Sequence, residues 1–213
     1  MIVDPRVEAY ATAHSSPPEQ LLAELAAETE RSLELPQMMV GPLEGRFLEM
    51  LVFATGAQLV LEIGTFSGYS ALSMAAGLAP GGCILSCEIN PRAVEMARHF
   101  VSSSPHAGRI EVLEGPALET VARLEGPFDL VFVDADKPSY AAYYEAVLPK
   151  LAERGLMVVD NTLWGGSVVD DTDDSEDAAA IRAFNDRVVS DERVVCVQLT
   201  VRDGVTLIRR RGS

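Results

Sequence analysis

Oxygen-bearing side chains follow two apolar stretches in the second half of the chain. Asp134 comes directly after the stretch Leu130–Val133. Asp160 and Asn161 come directly after Leu156–Val159, so two neighbouring parallel strands, about 4.8 Å apart, would bring all three side chains to one sheet edge. Three oxygen donors without histidine or cysteine are typical of a site for a hard divalent cation, Mg²⁺ first, with Mn²⁺ or Ca²⁺ as alternatives. Aspartates that only cap the following turns are the other interpretation.

A lysine stands three residues beyond Asp134. Only two of the 17 basic residues are lysines, and Lys137 is one of them. An arginine would supply the same charge but would not give up its proton. A lysine beside a cation in a partly buried site can act as a general base. Lys137 is therefore a candidate catalytic base, and a surface lysine that starts the next helix is the alternative.

A glycine-containing loop follows the first apolar stretch, Leu59–Ile63. It reads Gly64-Thr65-Phe66-Ser67-Gly68, and such a loop between a strand and a helix places backbone N–H groups at the ligand crevice of an α/β sheet. Phe66 stands where a dinucleotide-binding fingerprint needs its middle glycine, and Glu62 is unfavourable beside a pyrophosphate. Glu62 suits the ammonium group of S-adenosylmethionine (SAM), and Glu88, at the end of the second apolar stretch, suits ribose hydroxyls. The two acids favour SAM over NAD.

From residue 58 onward, short apolar stretches alternate with helical patterns. This alternation predicts βαβ units and therefore a parallel sheet with helices on both faces. The predicted strands are Leu59–Ile63, Cys83–Ile89, Ile110–Leu113, Leu130–Val133 and Leu156–Val159. The predicted helices are Ser67–Leu78, Pro91–Ser102, Pro116–Leu124 and Ser139–Glu153.

The two ends of the chain differ from this repeat. Residues 1–57 have helical patterns, including Pro18–Leu33 and a second amphipathic stretch after Pro42. Val194–Val201 and Val205–Arg209 flank Asp203-Gly204, a β-hairpin pattern that makes one strand antiparallel. We predict an α/β, Rossmann-like fold with a seven-stranded, mostly parallel sheet. It forms a single domain, 1–213, with an N-terminal helical extension (1–57) and a SAM-binding and catalytic core (58–213).

Composition narrows the classes of function. The 213 residues are 48% hydrophobic and 23% charged, a balance typical of a globular protein with a buried core. No stretch approaches the roughly 18 apolar residues of a membrane span, and no secretion signal is recognisable, so a cytoplasmic protein without a membrane partner is expected. The net charge of −15 makes nucleic acid an unlikely partner. The three cysteines lack a CxxC pair and are expected to be reduced.

With these motifs the chain resembles the cation-dependent catechol and caffeoyl-CoA O-methyltransferases of the bacterial type, from about Met38 to Arg210. The resemblance is carried by 62–70, 88–90, 114–118, 133–137, 160–168 and the Asp203-Gly204 hairpin. It implies a homodimer, catalytic roles for Lys137 and Asp134, and metal ligands Asp134, Asp160 and Asn161. The implied contacts with SAM are Val40, Glu62, Gly64, Thr65, Ser70, Glu88, Ala117, Asp134 and Asp136.

One departure from the family pattern bears on the acceptor. Caffeoyl-CoA enzymes have Trp-Asn-Gly after their metal pair, whereas this chain has Trp164-Gly165-Gly166. The missing asparagine and the acidic composition favour a small catechol over a CoA ester. We therefore predict methyl transfer from SAM to a hydroxyl of a small catechol-type acceptor.

Two other functions are compatible with the same motifs. A tRNA wobble-uridine O-methyltransferase could use this scaffold, but the charge of −15 argues against it. A SAM-binding protein without catalysis is the second alternative. The joint presence of Asp134, Lys137, Asp160 and Asn161 argues against that function.

Overall fold

The structure, a computed structural model, describes residues 2–212. The helices of this part of the chain are α1 (Pro5–Ala13), α2 (Gln20–Ser32), α3 (Gly41–Thr55), α4 (Tyr69–Gly77), α5 (Pro91–Ser102), α6 (Ala117–Arg123), α7 (Tyr140–Val147) and α8 (Glu176–Ser190). The strands are β1 (Leu59–Ile63), β2 (Cys83–Glu88), β3 (Ile110–Glu114), β4 (Phe128–Val133), β5 (Leu151–Val159), β6 (Val194–Leu199) and β7 (Val205–Arg210). None of the helices between residues 2 and 212 is long and apolar enough to cross a membrane.

The strands form one seven-stranded sheet in the order β3-β2-β1-β4-β5-β7-β6. Strands β1 to β5 pair in parallel, and β7 runs antiparallel to both of its neighbours, β5 and β6. The predicted α/β fold with one antiparallel strand from the C-terminal hairpin is confirmed. Strand order reverses between β1 and β4, and ligands of open α/β sheets bind in the crevice that such a reversal creates at the carboxyl ends of the strands.

Apolar side chains fill both faces of the sheet. Along β4, Leu130 and Phe132 pack into the cluster formed with α3, α4 and α5. Val131 and Val133 point the other way, as consecutive residues of a strand do, and pack into the cluster with α6, α7 and α8. A strand covered on both faces is apolar at consecutive positions, which is why β4 was recognisable as a continuous apolar stretch.

Three predicted elements were wrong in their extent. The predicted helix Ser139–Glu153 stops at Val147, a short 3-10 turn follows, and β5 begins at Leu151 instead of Leu156. Pro149 explains the end of α7, because it has no N–H to donate and disfavours continuation of the helix. The predicted hairpin strand Val194–Val201 ends at Leu199, since Arg202 and Gly204 both have positive φ and form the turn.

Candidate active site

A cavity of about 1020 Å³ opens at the carboxyl edge of the sheet. Eleven of the twelve predicted site residues line it: Val40, Gly64, Thr65, Ser70, Glu88, Ala117, Asp134, Asp136, Lys137, Asp160 and Asn161. The exception is Glu62. The topology that the sequence predicts therefore brings residues from seven helices and strands, or the loops beside them, into one space.

The loop after β1 is held tightly against the ends of β2 and β4. The N–H groups of Gly64 and Thr65 donate to Cys87 O at 3.0 and 3.1 Å. A Cβ at Gly64, where φ is +92°, would lie 2.0 Å from Asp134 O, so only glycine allows this approach. The hydroxyls of Thr65 and Ser67 are buried without a hydrogen-bond partner. Both residues line the cavity, and their hydroxyls can therefore bind a polar ligand group.

Glu88 is fixed at the end of β2 by backbone donors. Phe66 N donates to Glu88 Oε2 at 2.7 Å. Ile89 N and Asn90 N donate to Glu88 Oε1 at 2.8 Å each. An ionised carboxylate has about four acceptor positions, so one remains for a hydroxyl in the cavity.

Glu62 lies behind the cavity wall. Its side chain is completely buried, Ser86 Oγ donates to its Oε2, and its Oε1 has no partner. Burial raises the pKa of Glu62 to about 7, against the lowering effect of the nearby Ser70, Ser86 and Thr65 hydroxyls. Its predicted contact with SAM stays a prediction.

Lys137 joins the ends of β4 and β5. Its side chain is 8% exposed, and Nζ has four acceptors for three hydrogens: Asp134 Oδ1 at 3.1 Å, Ala135 O at 3.0 Å, Tyr140 Oη at 2.8 Å and Asn161 Oδ1 at 2.6 Å. Tyr140 Oη donates in turn to Asp160 O at 3.1 Å. Lys137 Nζ therefore hydrogen-bonds directly to two of the predicted metal ligands, Asp134 and Asn161.

Asp160 has the chemistry that a cation site requires. It is 3% exposed, and Asn161 Nδ2 donates to its Oδ2 at 3.0 Å, whereas its Oδ1 is buried without a partner. Burial, and then the nearby carboxylates of Glu44 and Asp134, raise the pKa of Asp160 well above its usual range. A bound cation would relieve this repulsion and satisfy the unpartnered oxygen.

The donor set fits a hard cation only if the asparagine takes part. Within residues 2–212, no group of three or more His, Cys, Asp and Glu side chains is arranged to hold a metal ion. Asp134 and Asp160 therefore need a third oxygen ligand of another type. Asn161 supplies one from the same strand end, and all three donors are oxygens, as Mg²⁺ prefers.

Two charged residues of the cavity region were missed by the sequence reasoning. Arg202, in the turn before β7, lines the cavity and donates to Glu44 Oε2 at 2.7 Å. Glu44 is 1% exposed in the first turn of α3. One signal was present, because Glu44 lies four residues before the buried Leu48, on the helix stripe where apolar residues are expected.

The turn that holds Arg202 also supports the loop after β5. Thr162 N donates to Gly204 O, and Leu163 N donates to Asp203 O, both at 2.9 Å. A Cβ at Gly204 would lie 2.5 Å from Leu163 Cγ. Strand β7 therefore positions the segment that continues from Asp160 and Asn161 to Trp164.

Comparisons with known proteins show the family of this chain. The O-methyltransferase family profile matches residues 12–211. Catechol O-methyltransferase of Mycobacterium tuberculosis is 42% identical over 166 residues (77% of this chain, 74% of that protein), and caffeoyl-CoA O-methyltransferase 1 of Zea mays is 42% identical over 180 residues (78% and 69%). The structure of the O-methyltransferase TomG of Streptomyces achromogenes, involved in tomaymycin synthesis and solved with SAM, superposes with a TM-score of 0.89 at 30% identity and covers 100% of both chains. The chain belongs to the O-methyltransferase family and is a SAM-dependent O-methyltransferase related to the catechol and caffeoyl-CoA enzymes.

Proposed function

We propose that this enzyme methylates a hydroxyl of a small catechol-type acceptor with the help of a divalent cation. The observation that carries the proposal is the meeting of Lys137 Nζ with Asp134 Oδ1 and Asn161 Oδ1, next to the unpartnered Asp160 Oδ1, in one cavity. The names of the relatives, catechol and caffeoyl-CoA O-methyltransferases, support an acceptor with vicinal aromatic hydroxyls.

The cofactor half of the cavity suits a ligand without phosphate. When bound, SAM supplies an electrophilic methyl group on a positively charged sulfur. Thr65 and Ser67 offer free hydroxyls, and Glu88 offers a fixed carboxylate for a ribose. Val40 and Ala117 line the cavity with apolar side chains. Together with these polar groups they bind and orient the cofactor.

Asp134, Asp160 and Asn161 would hold the cation. When bound, it makes an acceptor hydroxyl more acidic. Lys137 Nζ, fixed by Tyr140 and Ala135, would receive or share the proton of that hydroxyl in its neutral amine form, after giving up one of its three hydrogens. Because the remaining requirement is to align the acceptor oxygen with the methyl group of SAM, positioning contributes much of the rate and lowers the activation free energy by at best about 7–11 kcal/mol.

The region around Lys137 also favours a small aromatic acceptor. Lys137 Nζ lies 5.4 Å from the centroid of the Trp164 ring, which lines the same cavity. Gly165 and Gly166 follow with positive φ and present no side chain in place of the asparagine of caffeoyl-CoA enzymes. The acceptor end is therefore open and aromatic on one side.

The test is methyl transfer from labelled SAM to a panel of catechols, with Mg²⁺ and with EDTA. We expect product that disappears with EDTA, and a loss of at least 100-fold in kcat for Asp160→Asn. Asp171→Asn removes an exposed carboxylate outside the cavity and serves as the matched control. Equal turnover of Asp160→Asn and the wild type would contradict the cation role. No product with either addition, while SAM still binds in calorimetry, would contradict the catechol acceptor and direct the search to a large acceptor such as tRNA.

A further inference from the structure

Arg202 lines the cavity and forms an ion pair with the buried Glu44 behind it, which the proposed chemistry does not use. Arg202 Nη1 lies 2.7 Å from Glu44 Oε2, and the Glu44 side chain is 1% exposed. Arg202 also donates to Val40 O, and its Nε lies 3.6 Å from Glu8 Oε1. Arg202 lies in the turn before β7, and its guanidinium contacts both α1 and the first turn of α3.

Arg202 occupies this place under two unfavourable conditions. Its φ is +45°, a left-handed conformation that is uncommon for a residue other than glycine. Its charge also lies beside Val40 O at the N-terminal end of α3, where the helix dipole disfavours a cation. Glu44, in the first turn of the same helix, offsets both conditions through the ion pair.

Charged groups of both signs surround the candidate cation site. Burial lowers the pKa of Arg202, but the carboxylates of Glu44 and then Asp160 outweigh it and raise this pKa above its usual value. The Asp134 carboxylate in turn raises the pKa of Glu44 and the pKa of Asp160. Of these groups, Glu44, Asp134 and Asp160 are acidic and Lys137 and Arg202 are basic, while Glu8 lies beside the same guanidinium and Asp136 lines the same cavity.

Removal of the Glu44 charge would take one negative charge away from this group of residues and leave Arg202 without its closest counter-charge. The Arg202 guanidinium, without its ion-pair partner, would repel a divalent cation at Asp160. Coulomb interactions between buried groups a few ångströms apart are strong, so the effect on cation binding is large enough to measure.

We propose that Glu44 is a positioning residue for the cation site, which holds the Arg202 guanidinium and prevents its charge from opposing a divalent cation at Asp160. The inference rests on the proposed function, since it requires that a cation binds at Asp134, Asp160 and Asn161. Glu44 acts through Arg202, because its Oε2 accepts from the guanidinium and its side chain does not line the cavity.

The experiment measures Mn²⁺ affinity of the protein without SAM or acceptor, from the electron paramagnetic resonance signal of free Mn²⁺. We expect Glu44→Gln to weaken binding at least tenfold, which corresponds to about 1.4 kcal/mol. Arg202→Gln should bind Mn²⁺ at least as tightly as the wild type. The double variant should lie within about threefold of the wild type, because both charges are gone.

A matched control comes from the same helix. Glu49 on α3 pairs with Arg46 outside the cavity, so Glu49→Gln removes an ion pair without changing the site and should bind Mn²⁺ as the wild type does. A purely structural role of Glu44 would make the double variant no better than Glu44→Gln. That result would overturn the inference, as would unchanged Mn²⁺ affinity in Glu44→Gln.

Two further outcomes separate this inference from the proposed function. If Glu44→Gln does not fold, weaker Mn²⁺ binding by Arg202→Gln than by the wild type is sufficient to overturn the inference. If the wild type binds no Mn²⁺, the cation role in the proposed function fails and the inference fails with it. If the wild type binds Mn²⁺ and neither Glu44→Gln nor Arg202→Gln changes its affinity, the inference is refuted and the proposed function is not.

Discussion

Replacement of Glu62 by glutamine is expected to change how the stability of the protein depends on pH. The Glu62 carboxyl is completely buried, and its pKa is about 7 in place of the usual 4.5. A carboxyl whose pKa is higher in the folded than in the unfolded protein binds more protons when folded. Its contribution is therefore fully present below about pH 4.5 and is lost as the pH rises through 7.

The size of the effect follows from the two pKa values. The difference between about 7 and 4.5 corresponds to about 3 kcal/mol in the free energy of unfolding, lost between pH 4.5 and pH 8. Because the side chain is fully buried, solvent does not screen this contribution. Glutamine has nearly the same shape and does not ionise, so Glu62→Gln should lack this loss.

The assay is urea unfolding of both proteins from pH 5 to pH 8. The difference between the two curves isolates Glu62, because other shifted groups, such as Glu44 with a pKa of about 6, contribute to both. We expect the stability of Glu62→Gln relative to the wild type to rise by about 2–3 kcal/mol across this range. Glu111→Gln, an exposed change on β3, is the control and should follow the wild type. Parallel curves for the wild type and Glu62→Gln would refute the reasoning.

Three further outcomes are expected. Gly64→Ala should lower the free energy of unfolding by about 3 kcal/mol or more in chemical denaturation, because its Cβ would lie 2.0 Å from the carbonyl oxygen of Asp134. Gly115→Ala is the control: its φ is also positive, but nothing lies within 4 Å of its Cβ, so it should lose only about 1–2 kcal/mol. Iodoacetamide at pH 8 should label Cys83 and Cys196 before Cys87, because burial raises the pKa of the Cys87 thiol to about 12. Mass spectrometry of the folded protein would show the order of labelling, and early labelling of Cys87 would contradict this expectation. Tyr140→Phe removes a hydrogen-bond partner of Lys137 at 2.8 Å and should lower kcat about tenfold in the methyl-transfer assay while SAM affinity stays unchanged; an equal loss of SAM affinity would argue for a general disturbance.

The fold was predictable where burial on both faces leaves a continuous apolar stretch. Strand β4 shows this pattern over Leu130–Val133, β1 shows it except at Glu62, and the helices between them follow the 3.6-residue period. The error at 139–153 arose because Leu148 and Leu151 continue an apolar helical spacing past Pro149. Only the tertiary pairing with β4, which extends to Leu151 opposite Phe128, decides that this segment is a strand.

The candidate site was predictable for residues that stand at strand ends, because sheet topology alone brings them together. Arg202 and Glu44 are different, since 158 positions separate them in sequence. Such a contact leaves no periodicity in either segment. A charge on an apolar helix stripe signals that a partner exists, but the identity of that partner depends on the folded chain.

The place of β7 has a consequence for the biosynthesis of this enzyme. The ribosome makes β7 after the other six strands, yet the sheet requires it in an interior position, between β5 and β6. A nascent chain that lacks β7 exposes the edges of both neighbours, and unpaired strand edges favour aggregation. Because the turn before β7 also supports Thr162 and Leu163, the catalytic edge is completed only when β7 inserts. Catalytic competence should therefore appear late, after β7 has left the exit tunnel, and holding β7 inside a stalled ribosome should yield chains that neither turn over substrate nor resist proteolysis.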